Sequence, residues 1–320
     1  MSTSPSVGRA VQFVDAFGGP EAFSVREVPV PEVGAGQVRV RVTAAGLNPM
    51  DWFMTSDADV AARFGLSLPC GFGNDYAGVV DQVGAGAVAG DGEPLQIGDR
   101  VFGGAFSRSV ADYVVVDAPG HIGRGGDVHR TPDGLEDRVA GALSIAGCTA
   151  AAALAVVDPV PSDTLLVGGA GGGVGVFAVQ LARFAGARVI GTGSATSAGA
   201  LRALGAEPVT YGEGLADRLR ELAPEGISAA IDLHGTDTIA VARALGVADS
   251  RMATIAAVVD GVTPANGANA APGAIEEISR LVAQGRLHVP IAATFPVHEI
   301  RAAVELQAGR HVHGKVVIDL

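Results

Sequence analysis

The sequence predicts a two-domain α/β protein, a mostly antiparallel, barrel-like β domain joined to a doubly wound parallel sheet. Three observations predict it. Up to about residue 120, short strands of alternating polarity are separated by turns bearing Gly, Pro and Asp. After Thr164 the rhythm changes to short unbroken apolar runs that alternate with segments of helical period. A length of 320 residues also exceeds the ~250–300 at which one hydrophobic core stops growing.

In the first half, Val38, Val40 and Val42 alternate with Arg39, Arg41 and Thr43, which predicts a half-buried strand over Gln37–Thr43. Similar runs follow at Gly78–Val83, Val101–Phe102 and Tyr113–Val116. Ala118–Pro132, rich in Gly and Pro and carrying His121, Arg124, His129 and Arg130, reads as a solvated surface loop, with a lid over a substrate as the competing reading.

In the second half, Thr164–Val167 is a buried strand. Val174, Ala178, Leu181, Ala182 and Ala185 then fall at i, i+4, i+7, i+8 and i+11, one face of a helix. Arg188–Gly191, Pro208–Thr210, Ala229–Leu233 and Arg251–Ile255 are the next strands, separated by helices at Leu201–Leu204, Leu215–Leu222 and Ile239–Leu245. Repeated β-α-β units with short connections imply a parallel sheet with right-handed crossovers. The tail holds helices at Ala274–Ala283 and Val297–Leu306, and a closing strand at Lys315–Ile318.

Composition removes several functional classes. With 48% apolar and 18% charged residues the chain is not disordered, and its net charge of −12 disfavours nucleic acid and anionic membranes as partners. Two distant cysteines, Cys70 and Cys148, build neither a disulfide framework nor a cysteine zinc site, which fits a reducing, cytoplasmic setting. No export signal is expected from the first residues. Val139–Val157 is uncharged and long enough to span a membrane, but its Ala, Gly, Ser and Thr bury little apolar area, so a buried helix is expected.

The sharpest local signal is the glycine-rich stretch Val167–Gly175, which lies between a predicted strand and a predicted helix. On the G-x-G-x-x-G template it reads Ala170-x-Gly172-x-x-Gly175, and small residues there let backbone amides and a helix N-terminus approach a diphosphate. The expected contacts are Gly169, Ala170, Gly172, Gly173, Val174 and Gly175. No Gly-Lys-Ser/Thr follows, so the stretch is not a P-loop. After the second strand, Gly191–Ser197 contains no carboxylate to repel a 2′-phosphate, and Gly193 with Ser194 offers room and a donor. NADP(H) is therefore expected over NAD(H), with Arg202 and Tyr211 the nearest further groups.

Several motifs stand in series: Gly18–Glu21, Val25–Pro31, Ala44-Ala-Gly-Leu-Asn-Pro-Met-Asp51, Asp75–Val80, Gly98–Gly103, Ala146–Ala150 and Gly314–Val317. With the glycine loop, they resemble the zinc-independent quinone oxidoreductase (ζ-crystallin-like) branch of the medium-chain dehydrogenase/reductase superfamily. The resemblance implies a GroES-like β-barrel substrate domain at residues 1–144 and 263–320, and a Rossmann NADP(H)-binding domain at 145–262. It implies NADPH as cofactor, no zinc, a small quinone or enone substrate, and a homodimer. Asn48 would face the nicotinamide pocket, Thr149 would touch the nicotinamide end and Lys315 the diphosphate region; Asp51 reads as a helix N-cap. Where relatives often place a tyrosine after N-P-x-D, this chain has Trp52-Phe53-Met54, and their lysine near Ser197 is missing. His311-x-His313 reads as a surface pair and not a metal site. Reduction of an enoyl thioester, and NADP(H) binding without chemistry, are the alternative readings.

Overall fold

The computed structural model describes residues 6–122, 125–310 and 312–320; Arg124 and His311 lie outside the described residues. The chain forms two compact units. One takes residues up to Ile145, Ile275–Ala283 and Ile291–Leu320, and the other takes Ala146–Ala274 and Gln284–Pro290.

In the first unit, strand Gln37–Leu47 is the hub, pairing antiparallel with Asp75–Val83, Tyr113–Asp117 and Lys315–Asp319. Its seven-stranded sheet continues through Arg100–Gly104 to His129–Arg130 on one side and ends at Ile291–Pro296 on the other. A three-stranded sheet sets Val7–Phe13 between Phe23–Pro29 and Cys70–Gly71. Val38, Val40 and Val42 are buried with Val80, Val101, Val114 and Val116, as the alternation requires. Arg39, expected on the solvent side, is 5% exposed. Burial is possible because Asp81 takes its guanidinium at 2.9 and 3.0 Å and the Pro31 carbonyl accepts at 3.2 Å.

The solvated-loop reading of Ala118–Pro132 is corrected over its second half. Asp127, Val128 and His129 are buried, and His129–Arg130 adds a strand to Arg100–Gly104. The His129 ring contacts Asp127 Oδ2 through Nε2 at 3.0 Å and Glu276 Oε1 through Nδ1 at 2.8 Å. Burial pushes the imidazole pKa down, but the hydrogen bonds and charges of Asp127 and Glu276 outweigh it and raise it to about 9. A folded pKa above the unfolded value means that this stabilisation is complete below about 6.5 and lost as pH rises through about 9. The group is expected to account for about 3 kcal/mol of stability lost across that window. His129→Gln should flatten the corresponding part of a stability-versus-pH curve; a wild-type slope in the variant would refute a charged imidazole.

The second unit is a six-stranded parallel sheet in the order Glu207–Thr210, Arg188–Gly193, Thr164–Gly168, Ala229–Asp232, Met252–Thr254, Thr263–Pro264. The order reverses at Thr164–Gly168, which creates a switch point outside that strand's carboxyl end. The last strand carries the sheet past residue 262, the boundary expected from the sequence. Helix Gly175–Phe184 follows the switch-point strand. Its buried arc is wider than the expected face: Gly175–Gln180 and Ala182 are buried, whereas Leu181 is half-buried and Ala185 exposed. The cause is a second covering segment, since Gln180 donates to the His288 carbonyl and accepts from the His288 N–H, both at 2.8 Å. Within Val139–Val157 a helix runs Ser144–Val157, and no helix among the described residues is long and apolar enough to cross a membrane.

Candidate functional site

The glycine loop leaves the switch-point strand and turns at Gly169, whose φ of +70° favours glycine and whose N–H donates to Thr192 Oγ1 at 3.1 Å. Helical bonding begins early, with Val176 N–H on the Gly172 carbonyl at 3.1 Å. The N–H groups of Gly173, Val174 and Gly175 therefore lie in the first turn, where a helix has no carbonyl to offer them. No acidic side chain occupies that turn, so its positive end is unneutralised. The neighbouring helix Asp237–Ala244 contrasts with it: Asp232 caps its N-terminal region by accepting from His234, Gly235 and Thr238 N–H groups.

Two glycines of the loop serve different ends. A Cβ on Gly175 would lie 2.3 Å from the Gly169 carbonyl oxygen and 2.5 Å from that of Ala170, so this position is closed by the protein's own backbone. A Cβ on Gly172 would meet one atom within 4 Å, the Gly169 oxygen at 3.3 Å. The loop at Gly172 is thus open, as close approach of a diphosphate to its backbone requires. Ala170 is fully buried, and a Cβ on Gly191 would come within 2.8 Å of its methyl, so this alanine packs against the next strand.

At the carboxyl ends of the adjacent strands, Gly193, Ser194 and Tyr211 come together, Tyr211 N–H reaching the Gly193 carbonyl at 3.4 Å. The room expected at Gly193 is filled: a Cβ there would meet Ser197 Oγ at 2.3 Å and Leu201 Cδ1 at 2.7 Å. Ser194 Oγ accepts from Ser197 N–H at 3.2 Å, and the Tyr211 side chain is exposed. Sequence reading found no cation in this turn. Nearby, Arg218 of the next helix spends its guanidinium on the carbonyls that follow the third strand, donating to Thr210 at 2.8 Å and Glu213 at 2.9 Å. Its signal is a basic residue one helical turn into Leu215–Leu222, visible only once the helix is placed beside the strand end. Thr149 is half-buried in its helix, and the Gly267 backbone passes close to it, where a Cβ would lie 3.0 Å from Thr149 Oγ1.

The first unit contains a second constellation, a buried polar cluster of Asn48, Asp51, Asn74, Asp75 and Lys315, each at most 4% exposed. Asn48 Nδ2 donates to Asp75 Oδ2 at 3.0 Å, and Lys315 Nζ donates to Asn48 Oδ1 at 2.5 Å and to Asp75 Oδ2 at 3.5 Å. The Ile145 N–H completes Asp75 at 2.8 Å. The N-cap role expected of Asp51 falls instead to Asn48, three residues before it in the capping box of Pro49–Phe53, and the Asp51 carboxylate reaches back to the Asn48 N–H at 2.7 Å. Asn74 Nδ2 donates to the other Asp51 oxygen. Burial raises the Asp51 pKa to about 7, opposed by the Asn48 and Asn74 hydrogen bonds. Burial also raises Asp75, against the opposing pull of Lys315, Asn48 and Ile145. Lys315, expected at a diphosphate, is 2% exposed and has its ammonium taken up by Asn48 and Asp75.

The family model described as "Alcohol dehydrogenase GroES-like domain" matches residues 34–157, and "Zinc-binding dehydrogenase" matches residues 204–318. The human protein named "Quinone oxidoreductase" is 35% identical over 195 residues, which cover 60% of this chain and 54% of that protein. The chain thus spans about half the length of the curated relatives it matches. The quinone oxidoreductase structure from Coxiella burnetii superposes with a TM-score of 0.84 at 26% identity, covering 98% of this chain and 99% of that one. The chain belongs to the medium-chain dehydrogenase/reductase superfamily. A further mycobacterial structure similar to it, solved in complex with NADPH, superposes with a TM-score of 0.82 at 25% identity, over 98% of this chain and 100% of that one.

One of the two matched descriptions names zinc, and the polar cluster is where carboxylates gather. The donors of Asn48, Asp51, Asn74 and Asp75 are amide and carboxylate groups, whereas zinc favours thiolate and imidazole. The cluster also carries its own cation, and the Lys315 ammonium would repel a second. Among the described residues no group of three or more His, Cys, Asp or Glu could hold a metal ion. The donor set of this polar cluster does not fit zinc. The glycine loop, open at Gly172 and uncapped at its helix, does fit a dinucleotide.

Proposed function

We propose that the protein is an NADPH-dependent oxidoreductase that reduces a quinone or an α,β-unsaturated carbonyl without zinc, working as a cytoplasmic homodimer. The observation that carries this reading is the open glycine cradle at the sheet's switch point, set against an uncapped helix end. Bound NADPH supplies the hydride. The amides of Gly173, Val174 and Gly175 hold the diphosphate, with Gly169, Ala170 and Gly172 shaping the turn that receives it. Ser194 and Tyr211, at the ends of adjacent strands, would accept a 2′-phosphate, and no carboxylate follows the second strand to exclude it. Thr149 lines the nicotinamide end. Asn48 offers a hydrogen bond to the acceptor's oxygen. Acceptors whose reduction yields a delocalised anion need only such positioning and a few donors, which suits a site lacking a Lewis acid.

Steady-state NADPH oxidation with quinones, enones and enoyl thioesters tests this. Turnover is expected with a quinone or enone; a preference for the thioester would move the substrate to that class, and tight NADPH binding with no turnover on any acceptor would leave a non-catalytic nucleotide-binding protein. Asn48→Ala is expected to lower kcat by roughly 100- to 1000-fold, the scale of one lost oxyanion donor, with the KM for NADPH nearly kept. Wild-type kcat in that variant would reduce Asn48 to a turn-former.

A further inference from the structure

The closing strand Lys315–Asp319 buries every residue from Lys315 to Ile318, so Lys315 projects an ammonium into the protein interior. Its two acceptors are Asn48 Oδ1 at 2.5 Å and Asp75 Oδ2 at 3.5 Å. This arrangement fixes which way the Asn48 amide faces. With Oδ1 on the ammonium and Nδ2 on the Asp75 carboxylate at 3.0 Å, a flip would exchange two charge-assisted hydrogen bonds for two repulsions. The backbone of Asn48 is pinned as well, by the Asp51 carboxylate on its N–H at 2.7 Å. An amide nitrogen carries two hydrogens. Asp75 takes one, and the other has no acceptor among the described residues.

We propose that Lys315 is a positioning residue for hydride transfer: with Asp75 it locks the Asn48 amide so that its remaining Nδ2–H is presented as a fixed donor to the carbonyl oxygen of the acceptor. The inference rests on the reading of Asn48 given under the proposed function. A donor oriented during folding needs no reorganisation when negative charge grows on that oxygen. Without the ammonium, Oδ1 loses its anchor and only the Asp75 carboxylate still orients the amide, so the donor is held less firmly.

The test is a double-mutant cycle on the full chain, with 1,4-naphthoquinone as acceptor, reading kcat, the KM for NADPH and the unfolding midpoint for Asn48→Ala, Lys315→Met and the pair. Lys315→Met is expected to lower kcat by roughly 10-fold or more while the KM for NADPH stays within about 2-fold, and to cost nothing further once Asn48 is alanine. Additive losses, or wild-type kcat in Lys315→Met, would overturn the inference while leaving the Asn48 reading intact. Wild-type kcat in Asn48→Ala would overturn both. Absence of wild-type turnover with every acceptor class is a separate failure, that of the enzyme reading itself, and also removes the inference. Should Lys315→Met not fold, NMR of the wild-type protein with 15N-labelled asparagine decides: two distinct, slowly exchanging Asn48 Nδ2 protons, one shifting on addition of NADP+ and naphthoquinone, are expected. A pair that exchanges like free asparagine would refute a locked amide.

Discussion

Gly172→Val is expected to raise the Kd for NADPH on the order of 100-fold or more while leaving the protein folded. The contrast within the loop makes this informative. At Gly172 a new Cβ meets only the Gly169 oxygen at 3.3 Å, which the turn absorbs by a small shift, so the added methyls project into the space a diphosphate needs. At Gly175 a Cβ would fall 2.3 and 2.5 Å from two carbonyl oxygens, and substitution there damages the turn whether or not a nucleotide binds. Fluorescence titration with NADPH, with a thermal melt beside it, reads both quantities. Parental affinity in Gly172→Val would show that the nucleotide sits elsewhere, and the proposed function would lose its support.

Asp75→Ala should cost about 3–5 kcal/mol of folding free energy, the largest stability effect expected of a single change here. Asp75 is fully buried and gathers the Ile145 N–H, the Asn48 amide and the Lys315 ammonium on its two oxygens. Removing it leaves the ammonium, itself 2% exposed, without the carboxylate it contacts. An uncompensated buried charge is costly because the interior solvates it poorly, whatever the pair contributed when intact. Urea unfolding measures the change, and a loss under about 1 kcal/mol would mean that water reaches Lys315 freely.

The two halves of the fold were legible because period and punctuation are local properties. Val38, Val40 and Val42 declare their strand by alternation, and the glycines before Val176 mark a strand-to-helix turn, whatever the rest of the chain does. The failures share a cause, a partner distant in sequence. Arg39 looks solvent-facing until Asp81 is placed beside it. His129 looks like a loop residue until Glu276, far along the chain, closes on its ring. The helix after the glycine loop was assigned one buried face, and the segment around His288 covers another. At the candidate site the loop residues were readable, whereas the polar cluster was not. Asn48 was singled out by resemblance, but its link to Asp75 and Lys315 joins three strand or turn positions that only the antiparallel pairing of Gln37–Leu47 with Asp75–Val83 and Lys315–Asp319 brings side by side. One clue was present: a lysine opening an otherwise apolar closing strand, Lys-Val-Val-Ile, is rarely buried without a carboxylate to meet it.

The unit that carries the parallel sheet is built from two stretches, Ala146–Ala274 and Gln284–Pro290, separated by the helix Ala274–Ala283. The short second stretch is no ornament, since His288 closes a two-way amide clasp on Gln180. A gene fragment cut at residue 274 would therefore encode a sheet lacking one of its covers, and exchange of this unit between homologous genes must carry both pieces or repair the clasp. Chimaeras spliced at a single junction are therefore expected to express poorly, and grafts that include both borders to fold.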